Sequence, residues 1–362
     1  MGFTDFPLNS DLARQVWEPG LAIEAEDQQY FKKFMGKGKN AIIKVATDLK
    51  KSSAGESITV GLQMKLSGDG IEGDNDIEGT DAEEGLSHYA DKVYIDQRRK
   101  GTKSKGKMSE QRVPYNLRKM GRDALAIWYG EDYDQQYFMY LAGARGVNPN
   151  FHFATDWTGR ANNGMIAPSY QVYGDASGVP ASSKADLDAA DLMTLNTIER
   201  CLAMAETTSP LIRPISKGDS GKYVLVMHTF QAFALRASMS TNDWLDIHKH
   251  TDGPKSMIYK DCLGEWNGII LHKHRNVIRF DDYGAGADVD AARALFLGAH
   301  AGLAAWGKNG EYGRYSWNEE TDDRGNRLVI TAGSIYGIKK GTFNAKDVGV
   351  IGVDTACIDP NA

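Results

Sequence analysis

Cysteine is scarce in this chain, with only Cys201, Cys262 and Cys357 among 362 residues. They are odd in number, widely spaced and lack any C-x-x-C pair, which excludes a disulfide-stapled fold and a thiol-redox motif. The pattern suits buried free thiols in a reducing compartment. Long hydrophobic runs are also missing. The longest nearly apolar stretch, Ala294 to Trp306, falls short of the roughly 20 residues that cross a bilayer, and His300 interrupts it. Met1 to Gly20 carries Asp5, Asp11, Arg14 and Glu18 with no apolar core, so it reads as neither a signal peptide nor a membrane anchor. There is no excess of base: 42 Lys and Arg against 48 Asp and Glu leave a net charge of −6. That balance argues against a protein built to coat DNA or an anionic membrane, and makes any polyanion contact local.

The usual local marks of catalysis are absent too. Neither a GxxxxGK(S/T) phosphate loop nor a strand-linked GxGxxG occurs, and Gly284-Ala-Gly286 reads as a loop. No GxSxG elbow or HExxH is found, so no enzyme activity and no cofactor are expected.

What is present is an ordinary globular composition, 41% apolar and 25% charged, enough for two to three domains or one large discontinuous one. The first 50 residues read as an arm, with a charged helical-looking run near Glu24 to Phe34. Ser57 to Leu66 and Lys92 to Gln97 alternate as strands. Ser109 and Pro114 open a helix with Leu117, Met120, Ala124, Leu125 and Trp128 on one face; Gly130 interrupts it, and it resumes until Gly143-Ala-Arg-Gly146. A second helix is predicted from Asp186, as its N-cap, to Glu206, with Leu192, Leu195, Ile198 and Leu202 as its stripe. Lys222 to His228 and Gly268 to His272 read as strands, and Val289 to Trp306 as a helix of small residues. Arg327 to Thr331, Ile335 to Phe343 and Val348 to Asp354 close the chain in a sheet.

Charge is segregated around the first two strands. Residues 69 to 84 hold eight acids and no base: Asp69, Glu72, Asp74, Asp76, Glu78, Asp81, Glu83 and Glu84. Residues 98 to 107 hold six bases and no acid: Arg98, Arg99, Lys100, Lys103, Lys105 and Lys107. A strand pair with so charged an excursion buries too little apolar surface to stand alone and needs a surface to lie on. These fourteen residues are the candidate contacts between subunits. Reversing the signs at Arg98, Arg99 and Lys100 is expected to reduce association without unfolding the subunit.

Two metal patterns compete with blander readings. His248 and His250 flank Lys249, and His272 and His274 flank Lys273, which puts each pair on one strand face; lysine charge opposes a divalent ion there. Asp74, Asp76 and Glu78 resemble the opening of a calcium loop whose twelfth position is Gly85 instead of Glu, so a solvated acidic loop is the better reading. No metal is assigned. The basic run lacks the interleaved aromatics that would stack bases, which favours a protein partner over nucleic acid.

The order of these segments, with Leu49-Lys50, Gly55-Glu-Ser-Ile-Thr-Val60, Gln111-Arg-Val-Pro-Tyr-Asn-Leu-Arg118, Tyr223-Val-Leu-Val-Met-His228, Gly264-Glu-Trp-Asn-Gly-Ile-Ile270 and Phe343-Asn-Ala-Lys-Asp-Val-Gly-Val-Ile351, resembles the major capsid proteins of tailed bacteriophages, in their podovirus-type branch. The family shares its shell fold with encapsulins and the floor of herpesvirus capsids. The resemblance implies an α+β fold with an N-terminal arm (1–56), an extended β-hairpin loop (57–108) and a peripheral domain with a long spine helix (109–180). An axial α/β domain (181–300) and a return to the sheets (301–362) complete it. It further implies self-assembly as hexamers and pentamers into an icosahedral shell, by way of a procapsid, around double-stranded DNA. Identical subunits, scaffolding and portal proteins and a decoration protein are the implied partners, with no membrane. Assembly would occur in the host cytoplasm and the product would be part of the virion. Neither partner of the family's lysine–asparagine crosslink can be matched to a residue here, so none is expected. An encapsulin-like compartment and a metal-dependent enzyme using the paired histidines are the alternatives.

Overall fold

The computed structural model describes residues 21–360, apart from 22–23, 26–27, 39, 48, 50–54, 64–68, 75, 79–82, 84, 86–87, 113–115, 177, 216–220, 241–261 and 309–313. The strands that build its sheets are, in chain order, β1 (Met35–Gly36), β2 (Ile43–Ala46), β3 (Ser57–Gln63), β4 (His88–Tyr94), β5 (Asp96–Lys103), β6 (Gln171–Tyr173), β7 (Tyr223–Met227), β8 (Gly264–Trp266), β9 (Ile269–Lys273), β10 (Arg279–Tyr283), β11 (Val289–Leu297), β12 (Gly302–Trp306), β13 (Tyr315–Asp322), β14 (Arg327–Lys340) and β15 (Val350–Ala356). The α-helices with described bounds are α1 (Lys107–Arg112), α2 (Leu117–Ala142), α3 (Leu195–Thr207) and α4 (Thr229–Ser238).

Helix α2 is the spine. Asn116 starts it by accepting from the Arg118 and Lys119 amides, and Gly143, at φ 70°, ends it in the left-handed conformation that glycine adopts without strain. The stop falls where the sequence predicts. The start does not: α1 around Ser109 is a separate turn, and Met120 and Ala124 of the predicted apolar face are exposed. Gly130 does not break the helix. A Cβ there would lie 2.6 Å from Gln28 Cβ, so glycine is what lets the preceding segment cross the helix. From Asp132 onward every residue of α2 is buried.

The two sheets pack around this helix. One runs β1-β2-β12-β14-β13, with β5 also paired to β14. The sequence predicts two strands in 327–343; a single strand runs through Gly333 and Ser334 because it is hydrogen-bonded along one side to β13 and then β12, and along the other to β5. The second sheet runs β8-β9-β7-β11-β15-β6, with β10 beside β11. Its strands are apolar on both faces. Val224, Val226, Ile270, Leu295 and Leu297 join the core around α2, whereas Tyr223, Leu225, Ile269, Leu271 and Phe296 join a core closed by Ile198, Cys201 and Ala205 of α3 and Leu235 of α4. A strand covered on both sides loses its polar alternation. For that reason Val289 to Trp306, predicted as a small-residue helix, forms two strands, β11 and β12, separated where His300 takes φ 60°.

The helix predicted from Asp186 begins nine residues later, capped by the Thr194 hydroxyl accepting from the Thr197 amide. Asp186 instead accepts from the Ser182 amide and hydroxyl around a short 3-10 turn. Leu192 therefore precedes the helix, and the buried stripe is Ile198, Cys201 and Ala205. Cys201 and Cys357 are buried free thiols, each pushed up to about 12 by burial; Cys262 is half-buried.

The described part of the predicted arm is built into the core. Leu21, Ala25, Phe31 and Phe34 are buried, and β2 lies parallel to β12 with Ile43 opposite Gly302. Asp134 of α2 holds this segment, accepting from the Tyr30 amide at 2.7 Å and the Phe31 amide at 3.2 Å. Burial pushes its carboxyl up to about 7, against those two donors, which favour the ionised form. Its unfolded value is about 3.9. Folding therefore favours the neutral acid: the stabilisation is complete below that value and is lost as pH rises through about 7. The unfolding temperature should fall between about pH 4 and pH 7, and Asp134→Asn should flatten that fall. An unchanged slope in the variant, by scanning calorimetry, would assign the dependence elsewhere.

Candidate inter-subunit surface

Strands β3 and β4 form a separate antiparallel ribbon, Ser57 opposite Tyr94 and Gln63 opposite His88. Its root is fixed. Ile58 and Val93 pack against Leu303 and Ala305 of β12. Asn163 donates to the Tyr94 carbonyl at 2.7 Å and accepts from the Tyr94 amide at 3.0 Å, which substitutes for a third strand at that point. Asp91, buried, accepts from Lys339 and, at 3.2 Å, from the Thr342 amide. Further out, Thr59, Gly61, Ala90 and Lys92 are exposed, and no third strand joins the ribbon among the described residues. A lone two-stranded ribbon is marginal in water, and the outer half of this one has no third strand among the described residues.

The acids sit on the excursion at the far end of this ribbon. Asp69, Glu72, Asp74, Asp76, Glu78 and Glu83 are exposed; Asp81 and Glu84 lie outside the described residues.

The basic run has a different place from the one predicted. It belongs to the core sheet as β5, antiparallel to β14 from Asp96 opposite Tyr336 to Lys103 opposite Val329. Strand alternation turns Arg98 toward α2, where it makes a two-pronged ion pair with Asp132, Nη2 to Oδ1 at 2.6 Å and Nε to Oδ2 at 2.9 Å. Asp132 is fully buried and also accepts from Gln136 and from the Tyr336 hydroxyl. Burial opposes the Arg98 charge, but the Asp132 carboxylate outweighs it and the net shift is upward. Arg98 is thus ion-paired within its own subunit, with its side chain 27% exposed. Lys103 pairs with Asp322 at the surface. Arg99, Lys100, Lys105 and Lys107 are exposed and form no ion pair with the described residues, Lys100 lying over the Trp128 ring at 5.4 Å.

Among the described residues, the histidines form no metal site. His248 and His250 lie outside the described residues. His272 is buried against Phe34, with Lys33 Nζ 3.4 Å from its Nδ1, and His274 stacks on Phe138, its pKa pushed down to about 4 by burial and by the Arg275 and Lys33 charges. Among the described residues no three His, Cys, Asp or Glu side chains converge on one point. Asp74, Asp76 and Glu78 are exposed on the loop without such a cluster.

Sequence reasoning missed the polar groups that fix the ribbon and the spine: Asp91, Asp132, Asn163 and the pair Arg293–Asp354. Asp132 and Asp134 inside an aromatic-rich helix segment, and Asp354 inside the apolar strand VIGVDTA, were the available signals, because a carboxylate in such a place must have partners.

The family model described as phage capsid protein matches residues 5–358. The major capsid protein of Pseudomonas phage KPP25 is 28% identical over 385 residues, covering 98% of each chain. Among solved structures, the capsid of Ralstonia phage GP4 is 39% identical with a TM-score of 0.86, covering 100% of both chains. The cyanophage Pam1 capsid is 20% identical with a TM-score of 0.71, over 91% of this chain and 92% of that one.

Proposed function

The chain belongs to the phage capsid protein family, and from that premise we propose that its β3–β4 ribbon lies across a neighbouring copy, so that each subunit completes its fold in trans. It is a shell-forming major capsid protein with the tailed-phage capsid fold. The observation behind the ribbon proposal is the anchored root and unpartnered outer edge. Subunits gather as hexamers and pentamers around double-stranded DNA, with scaffolding, portal and decoration proteins as partners, assembling in the host cytoplasm into the virion. The acidic excursion meets Arg99, Lys100, Lys105 and Lys107 of a neighbour, the four of the six bases that are exposed and form no ion pair with the described residues. Exposed ion pairs contribute about 0–1 kcal/mol each, weak enough for misplaced subunits to leave while the closed lattice is held by repetition.

Electron microscopy of the purified protein should show closed shells, tubes or capsomers; small isolated particles under every ionic condition would overturn the assembly reading. Changing Asp69, Glu72, Asp74, Asp76 and Glu78 together to their amides should lower shell yield and weaken its dependence on salt, while the unfolding temperature of the free subunit stays unchanged. Equal yield at all salt concentrations would remove the acids from the interface. An encapsulin-like compartment would enclose protein, so nuclease-protected DNA in particles separates it from this reading.

A further inference from the structure

A cleft of about 200 Å³ opens between the loop after α2, the start of α4 and the turn before β10. Asn150, Thr229, Arg275, Asn276 and Arg279 belong to its polar lining together with Asn148 and His228, and no Asp or Glu lines it. The nearest acids make only long contacts: Arg275 Nη2 is 3.6 Å from Glu131, and Arg279 Nη2 is 3.8 Å from Asp290. Arg275 is otherwise exposed. Arg279 is held in place, its amide donating to Asn148 Oδ1 at 2.8 Å and its guanidinium lying over the Phe230 ring and beside the Cys357 thiol. Its charge is felt nearby: the His228 imidazole is pushed down to about 4 by burial and then by Arg279. His228 is therefore neutral at pH 7, and its Nδ1 accepts from the Phe230 amide.

Two arginines, three asparagines, a threonine and a neutral histidine from three chain segments thus border one concave spot. A planar carboxylate is satisfied by a single guanidinium fork, whereas a tetrahedral phosphate offers oxygens in several directions and suits donors arriving from several sides. We propose that this cleft holds a phosphate of the enclosed DNA backbone, which places it on the inner surface of the shell. The inference rests on the reading of the chain as the wall of a DNA-filled shell. One phosphate contact per subunit carries no base preference, and on an acidic subunit it leaves the packaged DNA free to depart.

The test uses full-length subunits and a short DNA duplex, with fluorescence anisotropy read over a series of salt concentrations. Arg275→Ala/Arg279→Ala should weaken binding about tenfold or more at low salt, and should reduce the slope of log affinity against log salt by about 1. Arg324→Ala, on the exposed turn between β13 and β14, should leave both as they are. Unchanged affinity and slope in the double variant would overturn the assignment. Stabilisation of the wild type by inorganic phosphate, with duplex binding unaffected by the double change, would mean a free-anion site and overturn it as well. Capture of a peptide spanning residues 69–84 that duplex does not displace would give the cleft to a neighbouring subunit instead. Electron microscopy of the double variant keeps the two readings apart: normal shells with unaltered DNA binding overturn the cleft alone.

Discussion

Arg293→Met is expected to destabilise the subunit by about 3–5 kcal/mol, the range for a buried ion pair that loses one member. Arg293 and Asp354 face each other across β11 and β15, Nε to Oδ1 at 2.7 Å and Nη2 to Oδ2 at 2.8 Å. Tyr283 closes the triangle, its hydroxyl donating to Asp354 at 2.9 Å and accepting from Arg293 at 2.9 Å. The remaining arm of Arg293 donates to the Ala142 carbonyl at the end of α2, which ties the spine to the second sheet. Burial works against the Arg293 charge, and the Asp354 carboxylate more than offsets it. Methionine keeps the apolar stem but strands a buried carboxylate and an unpaired helix carbonyl. Replacing both members, as Arg293→Met/Asp354→Leu, should recover part of the loss, since an apolar pair has no charge to desolvate. Urea unfolding of the free subunit measures both. A single variant within about 0.5 kcal/mol of wild type would mean that the triangle opens to water.

Arg98→Glu is expected to unfold the subunit, whereas Arg99→Glu/Lys100→Glu should leave it folded and reduce shell yield. All three positions lie on β5 and look alike in sequence. Asp132, however, is fully buried beneath Arg98, so glutamate there removes its counter-charge and places a second carboxylate against it. The loss should be about 3 kcal/mol, the lower end for a broken buried pair, because the Gln136 and Tyr336 donors are retained and solvent reaching part of Arg98 screens the charges. Arg99 and Lys100 are exposed, and surface changes of this kind usually stay within about 0.5 kcal/mol. Circular dichroism of the two variants decides between a folding role and an assembly role. A folded Arg98→Glu subunit would deny Arg98 the folding role.

Much of the architecture was legible in the residues. The stop of α2 at Gly143 and the strands β3, β7, β9 and β15 follow from local composition, and the order of segments carried the resemblance to the capsid family. The misplaced elements share one cause. Helix and strand periods are visible only where one side meets water, and β11 and β12 carry apolar side chains on both sides between two cores. Asp186 offered capping chemistry as good as that of Thr194, and only the packing of Ile198, Cys201 and Ala205 against β7 and β11 selects the later start.

By itself, the amino-acid sequence determined that the chain folds around a large apolar core, that its elements follow the capsid order, and that acids and bases are concentrated in two runs. The tertiary structure alone decided which of those charges are available to a neighbour. Strand alternation and the depth of Asp132 draw Arg98 inward and leave Arg99 and Lys100 outside. Charge is written in residue order, but whether a charge meets water or a counter-ion depends on segments far apart in the chain that folding brings together.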